Sequence, residues 1–254
     1  MQVMIHKFLV ATLALILTLA GSVDAQQKKT TKVKPTKESK QLLTEAIDAL
    51  KAAQKEDLEL ETKRCMTLVS SHFEGGDKAL KAKALKLLAK QLKKRDIEMK
   101  QAVLKALSET GPEASKIFIA EVKKPTAKKS LSYKCEVIAA LGRLRDPKSI
   151  DYLLKFLHNK DIAVTVAGIE ALASYKESET PHRKEIVKEL LKFYGPLEGA
   201  ARMPTAKTEI VRKYNKLRSS FEGTLRAVTG KVDAKNAAAW NRWFRKVGKK
   251  LKEW

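Results

Sequence analysis

Three segments of the chain repeat one helical pattern without a gap. They begin at Asp96, Ser130 and Asp161, so their starts lie 34 and 31 residues apart in a chain of 254 residues. Each begins with a residue type that favours helix N-caps, and each then places apolar residues with the period of a helix. Because one pattern returns at a nearly fixed interval, we expect a stack of similar helical units with a continuous core.

The matching positions identify the candidate core of each unit. A small residue stands just before the last leucine of every segment and lets a neighbouring helix approach closely: Ala106, Ala140 and Ala171. Apolar residues share four offsets: Ile97/Leu131/Ile162, Met99/Tyr133/Val164, Leu104/Ile138/Ile169 and Leu107/Leu141/Leu172. A fainter copy covers residues 39–50.

Helical periodicity continues from about residue 38 to the end, and no alternating pattern of strand length interrupts it. The connections carry residues that stop or start helices, such as Gly111-Pro112, Asp146-Pro147 and Thr180-Pro181. The predicted helices are 38–53, 57–73, 77–94, 97–109, 112–123, 130–144, 147–158, 161–175, 181–194, 206–228 and 235–253. The sequence therefore predicts an all-α fold, a right-handed α-solenoid of about five to six antiparallel helix pairs.

Residues 140–172 read ALGRLRDPKSIDYLLKFLHNKDIAVTVAGIEAL and resemble HEAT repeats. The shared features are a Leu-Gly-x-Leu-x-Asp-Pro linker, an apolar first helix and an Asp-x-x-Val opening on the second helix. The resemblance is strongest over 96–175 and looser over 38–95, and it implies a fold rather than a function. The family's arginine after that valine is replaced by Lys100, Lys134 and Thr165. The C-terminal stretch resembles the Trp-rich end of secreted bacterial HEAT arrays.

The first 25 residues have the order of a secretory signal peptide. Lys7 precedes an apolar run over residues 8–20, and small residues occupy the −3 and −1 positions of a cut after Ala25. The run is shorter than the ~20 residues of a spanning helix. We therefore expect a secreted or periplasmic protein without a transmembrane segment after cleavage. The predicted organisation is a signal peptide (1–25), a flexible basic tail (26–37), the repeat array (38–230) and a C-terminal capping helix (231–254).

The two cysteines, Cys65 and Cys135, fall in different predicted repeats. Stacked helices lie ~8–10 Å apart, whereas a disulfide needs Cα atoms within about 7 Å. We expect two free, mostly buried thiols, although an exported protein would meet an oxidising compartment.

No enzyme or metal motif is present in the sequence. It has no Walker loop, HExxH, nucleophile elbow or GxGxxG. After the predicted cut the histidines are His72, His158 and His182, which stand in separate repeats. We therefore expect no cofactor, no metal and no catalysis. HEAT-like folds include DNA glycosylases and bilin lyases, but no residue here matches a catalytic set of those enzymes.

A protein partner is the leading hypothesis for function. HEAT arrays often bind along a concave face, where the second helices of the repeats would present Lys105, Ser132, Arg143 and Glu170. This row is mixed in sign, which disfavours nucleic acid. We expect a monomeric scaffold that binds protein outside the cytoplasm.

The formal net charge of +23 supports an alternative. Lys83, Lys86, Lys90 and Lys93 fall on one face of a predicted helix. Such a face is commonly only a solvated surface, but it is also suited to an anionic envelope polymer or to lipid head groups.

The last predicted helix is amphipathic and rich in tryptophan. Cationic residues cover most of its surface, and the apolar residues project to one side: Trp240, Trp243, Phe244, Val247, Leu251 and Trp254. Such a helix can lie in a membrane interface, but the open end of a repeat stack also needs a cap over its last apolar face. We expect the capping role.

Overall fold

The structure is a computed structural model that describes residues 35–93, 96–230, 234–250 and 252. These residues form twelve α-helices, several short 3₁₀ turns and no strand, which confirms the predicted all-α fold. The chain divides after Gln91 into two compact units. The predicted signal peptide and most of the predicted basic tail lie outside the described residues. Among the described helices, none is long and apolar enough to cross a membrane.

The first unit contains three helices within residues 35–91, the part that the structure describes. They are α1 (Lys37–Lys55), α2 (Glu59–Ser71) and α3 (Lys78–Gln91), with a 3₁₀ turn at Phe73–Gly75 before α3. Helix α1 buries an apolar stripe that includes Leu43, Ile47 and Leu50. The helical spacing of these residues places them on one side, where α1 packs against both α2 and α3.

The second unit contains nine helices among its described residues. They are α4 (Ile97–Glu109), α5 (Ser115–Lys123), α6 (Pro125–Lys129), α7 (Leu131–Arg143), α8 (Ile150–Leu154), α9 (Ile162–Ala173), α10 (Thr180–Ala201), α11 (Thr208–Thr229) and α12 (Ala237–Trp243). Helices α4, α7, α9 and α11 pack side by side in this order. Helices α5, α8 and α10 pack on α7, α9 and α11 respectively, and α12 packs on α10.

Three of the four predicted core offsets are buried in all three segments. Leu104, Ile138 and Ile169 are representative, each at most 3% exposed. The first offset is different, because Ile97 is 59% exposed and Leu131 is 44% exposed. These residues directly follow the N-caps, so no preceding turn of their own helix covers them. The prediction that they belong to the core was wrong.

Close approach between α7 and α9 depends on a glycine. A Cβ added to Gly142 would lie 2.7 Å from both the Cβ and the carbonyl oxygen of Ala171, closer than real Cβ contacts allow. Gly142 belongs to the Leu-Gly element of the predicted linker, and Ala171 is one of the repeated small residues. The two together bring the backbones of neighbouring repeats into contact.

Two helices in the second unit differ clearly from the prediction. The short helix α6 (Pro125–Lys129) was not predicted, and it fills the longer connection that makes the first repeat interval 34 residues rather than 31. Helix α10 was expected to stop at residue 194, but it continues through Pro196 to Ala201. Tyr194 and Glu198 are buried on either side of this proline, so their packing outweighs the lost backbone hydrogen bond.

The C-terminal segment is not the single long helix that was predicted. Helix α12 ends at Trp243 and is followed by a π-helical turn over Phe244–Gly248, in which the Lys249 amide donates to the Phe244 carbonyl at 2.8 Å. The wider turn changes the angular step between residues. Val247, expected on the apolar side, is consequently 46% exposed.

Candidate interaction grooves

The first candidate site is a groove of about 390 Å³ between α7 and α9. We call it the alanine groove, and its lining is Cys135, Glu136, Ala139, Arg143, Ala167, Glu170, Ala171 and Ser174. Two of the predicted partner-binding residues, Arg143 and Glu170, meet here on neighbouring repeats. The other two, Lys105 and Ser132, are exposed on α4 and α7 but do not line the groove.

Hydrogen bonds between repeats hold the charged side chains of the alanine groove. Gln101 on α4 donates to the Glu136 carboxylate at 3.2 Å. The Arg143 Nε donates to the Ser108 hydroxyl at 3.5 Å. Both contacts connect α4 to α7, the next helix in the row.

The far wall of the alanine groove is fixed in a similar way by α11. The Ser220 hydroxyl donates to Glu170 at 2.9 Å, and the Thr224 hydroxyl donates to the Ile169 carbonyl at 3.0 Å. Glu170 is therefore oriented while it stays exposed. The groove therefore presents one oriented carboxylate and one oriented guanidinium beside a surface of alanines. Such a surface can bind partner side chains of either charge.

Both cysteines are free thiols, as predicted. Cys65 is buried in the first unit, whereas Cys135 is only half-buried because it lies in the alanine groove. Burial raises the pKa of the Cys135 thiol, and the carboxylates of Asp161, Glu136 and Glu170 add to this effect against the opposing charge of Lys134. Burial also raises the pKa of Cys65. Both side chains are thus held in the neutral thiol form, which is the less nucleophilic form.

The second candidate site is a cleft of about 1020 Å³ between α10 and the C-terminal segment. We call it the basic cleft. One wall carries Lys184, Lys188 and Lys192 from α10. The other wall carries Arg242, Arg245, Lys246 and Lys249. Glu185 is the single acidic residue of the lining.

A buried carboxylate positions the C-terminal wall of the basic cleft. Glu198 accepts hydrogen bonds from the Tyr214 hydroxyl at 2.9 Å, the Arg202 guanidinium at 2.7 Å and the Ala237 amide at 2.7 Å. Ala237 is the first residue of α12, so Glu198 joins α10, α11 and α12. Burial alone would raise the pKa of Glu198, but these hydrogen bonds outweigh burial and hold the pKa below its ordinary value.

The residues predicted to form a cap have unequal burial. Trp240 is fully buried, and its ring meets Trp243 edge-on at a centroid distance of 5.8 Å. Trp243 and Phe244 are half-buried, and Trp254 lies outside the described residues. Helix α12 and these aromatic rings cover part of α10 and leave the basic cleft beside it.

The predicted lysine face is interrupted by the end of a helix. Lys83, Lys86 and Lys90 are exposed on α3. Helix α3 stops at Gln91, so Lys93 does not extend this face as expected. It lies in the following turn, within the second unit.

Histidines and acidic residues form no recognisable centre in the described part of the chain, where no group of three or more His, Cys, Asp or Glu is arranged for a metal ion. His72 ends α2, and His182 lies near the start of α10. The His158 ring packs edge-on against Phe193 at 5.3 Å.

The basic cleft was missed at the sequence level. A signal existed, because Lys184, Lys188 and Lys192 recur every fourth residue and therefore share one face of a helix. The cationic residues around Arg242 were also recognised. The sequence alone gave no reason to place the two sets opposite each other.

Comparisons with known proteins identify the repeat type of the segment that contains most of α7 and all of α8. Residues 134–159 match the family model of the PBS lyase HEAT-like repeat, so the chain carries a HEAT-like repeat in this segment. No curated protein sequence matches the chain. Among solved structures, a crystal structure of an engineered protein is similar at 16% identity over 73% of this chain and 89% of the other, with a TM-score of 0.31.

Proposed function

We propose that this protein with a HEAT-like repeat is a non-catalytic scaffold that binds a protein partner through the alanine groove. The observation that supports it is that Arg143 and Glu170, from neighbouring repeats, line one groove together with small residues. Such a groove admits the side chains of a partner without displacing its own. Its mixed sign favours a polypeptide, which carries both charges, over a polyanion.

The test compares two double variants. Ala139→Trp with Arg143→Glu fills and recharges the groove, whereas Ala120→Trp with Lys116→Glu makes comparable changes at exposed positions of α5. A photo-crosslinking residue at position 139 or 120 identifies the partner in extracts of the cell envelope. We expect a crosslink at position 139 alone, and binding of the purified partner that only the groove variant weakens. Equal binding by both variants contradicts the proposal.

We also propose that the scaffold acts outside the cytoplasm. The support is the charge, apolar run and small-residue cut site over residues 1–25. Expression in the source cells, followed by fractionation and N-terminal sequencing, tests it. The expected product begins at Gln26 and lies outside the cytoplasm. A cytoplasmic chain that keeps its first residues contradicts export.

A second candidate function is binding of an anionic surface by the lysines of α3. Its support is the exposure of Lys83, Lys86 and Lys90 along one helix. Lipid head groups and an envelope polymer both suit such a face, and nucleic acid suits it less because no aromatic side chain accompanies the lysines. Reversing the three lysines to glutamate should abolish binding to anionic vesicles or polymer. Unchanged affinity removes this candidate.

A further inference from the structure

The lining of the basic cleft has a large excess of positive charge. Seven cationic side chains face a lining that contains Glu185 as its single carboxylate. Glu189 is not part of the lining, but its carboxylate lies 2.7 Å from the Lys192 ammonium and 4.0 Å from the Lys188 ammonium. This one carboxylate therefore pairs with two lysines of the same wall. Rows of like charge on facing walls repel each other, and an anion between them offsets that repulsion.

The two walls run antiparallel along the basic cleft. The Lys184 ammonium donates to the Lys249 carbonyl at 3.1 Å at one end. At the other end, a Cβ on Gly195 would lie 3.3 Å from the Asn241 side-chain amide. The distance along α10 between these two points is about 16 Å, which equals roughly three turns of a helix. The cleft is long enough for an extended or helical segment rather than a single ion.

The floor of the basic cleft is apolar. It contains Leu191, Gly195, Pro196, Ala238 and Phe244. Phosphate or sugar chains would contact the rims and leave this floor against water, which gains nothing from the apolar surface. A polypeptide with an apolar stripe between acidic residues matches both the floor and the rims. This is the pattern of an amphipathic helix that lies in a groove.

We infer that the basic cleft binds an acidic, amphipathic segment of a protein partner. The apolar side chains of this segment contact Leu191, Pro196 and Phe244, while its carboxylates meet the cations of the two walls. The basic cleft shares no lining residue with the alanine groove. The inference therefore goes beyond the proposed function, and either site can fail its test without affecting the other.

The experiment measures binding of a fluorescein-labelled helical peptide of about 15 residues, enough for roughly four turns. The peptide carries leucines on one face and glutamates on both flanks. A second peptide has serines in place of the leucines and keeps every glutamate. Single-stranded DNA and anionic phospholipid vesicles are the competing probes. All titrations use the intact purified protein at about 0.15 M salt, where charges beyond ~8 Å are screened.

Two triple variants of equal charge provide the control. Lys188→Glu, Arg242→Glu and Lys246→Glu reverse cations on both walls of the cleft. Lys148→Glu, Arg212→Glu and Lys216→Glu reverse exposed cations elsewhere in the second unit. We expect the cleft variant to bind the leucine peptide about tenfold more weakly or worse, and the control variant to bind within about twofold of the unchanged protein.

The outcomes separate the possible ligands. Strong binding of the leucine peptide, weak binding of the serine peptide and loss in the cleft variant alone support the inference. Equal affinity for both peptides would show that charge alone determines binding, and this result would overturn the inference. Tighter, cleft-dependent binding of DNA or vesicles also overturns it and assigns the cleft to that polyanion. Equal loss in both triple variants overturns it by showing a general charge effect.

Discussion

The alanine groove and the basic cleft lie in the same unit and are built in different ways. The alanine groove lies between two repeats, and its lining includes Ala171, which the α7 backbone approaches closely at Gly142. The basic cleft lies where the repeat pattern ends, between α10 and a C-terminal segment that has no counterpart earlier in the chain. Packing between repeats therefore limits the size of the residues that line the alanine groove. The C-terminal end of the stack is less constrained and can present many charged side chains.

The two sites also differ in what supports them. Both walls of the alanine groove belong to helices with many buried residues on either side. The second wall of the basic cleft is a short helix and a π turn, held by Trp240 and by the hydrogen bond from Ala237 to Glu198. We therefore expect changes at the C-terminal segment to affect the cleft strongly and the groove very little.

The largest expected effect is on the C-terminal wall. Trp240→Ala removes a fully buried aromatic side chain and should lower the free energy of unfolding of the second unit by about 3–5 kcal/mol. The basic cleft should lose peptide binding, because its second wall detaches. Urea unfolding and the peptide titration measure the two effects.

Val247→Ala is the control for this comparison. Its side chain is already 46% exposed, so the free energy of unfolding should change by no more than about 0.5 kcal/mol. If Trp240→Ala were as mild as Val247→Ala, the C-terminal wall would not depend on the buried ring.

Gly142→Ala tests the packing beneath the alanine groove. The new Cβ would lie 2.7 Å from Ala171, so α7 and α9 must separate at a cost of about 1–3 kcal/mol. Gly223→Ala is the matched control on α11, because no atom lies within 4 Å of its added Cβ. Helix propensity predicts about 0.5–1 kcal/mol of stabilisation there. Thermal unfolding with equal shifts for both variants would contradict the close approach.

Glu198→Gln tests the joint that positions the cleft wall. We expect the free energy of unfolding to fall by about 2 kcal/mol at pH 7, because an amide cannot replace a carboxylate that accepts three hydrogen bonds. The folded-state pKa of Glu198 lies below that of an unfolded glutamate, about 4.3. Its carboxylate therefore stabilises the fold above about pH 4, and this contribution is lost as the pH falls through the folded-state pKa.

The difference in unfolding free energy between Glu198 protein and the Gln variant should accordingly narrow from pH 7 to pH 3. Urea titrations at both pH values measure it. A difference that grows toward low pH would mean that Glu198 is protonated in the fold.

The smallest expected effect is at the wall of the alanine groove. Ser220→Ala removes the hydrogen bond to Glu170 and should lower stability by about 0.5–1 kcal/mol, since Glu170 keeps contact with water. Binding of the groove partner should weaken because the carboxylate is no longer oriented, and peptide binding at the basic cleft should stay unchanged. A parallel loss at both sites would show that the two are not independent.

Much of the fold was predictable because helix period and repeated offsets depend on local sequence. Leu104, Ile138 and Ile169 were assigned correctly to the core from spacing alone. Local patterns failed where distant packing decides, as at Pro196, which lies inside a helix that buried neighbours maintain, and at Val247, which a π turn exposes.

The same contrast between local sequence pattern and distant packing applies to the candidate sites. Arg143 and Glu170 were identified because helix spacing places each of them opposite the core on the second helix of its repeat. The walls of the basic cleft are about fifty residues apart in sequence and belong to no repeat, so only the packing of α12 on α10 brings them together.

The unequal burial of the two thiols gives the alanine groove a built-in reporter. Cys65 is 1% exposed, whereas the half-buried Cys135 opens into the groove. A maleimide dye at mildly alkaline pH should label Cys135 first, without mutagenesis, although its raised pKa slows the reaction. A bound partner would shield that sulfur, so the rate of labelling would itself measure occupancy of the groove.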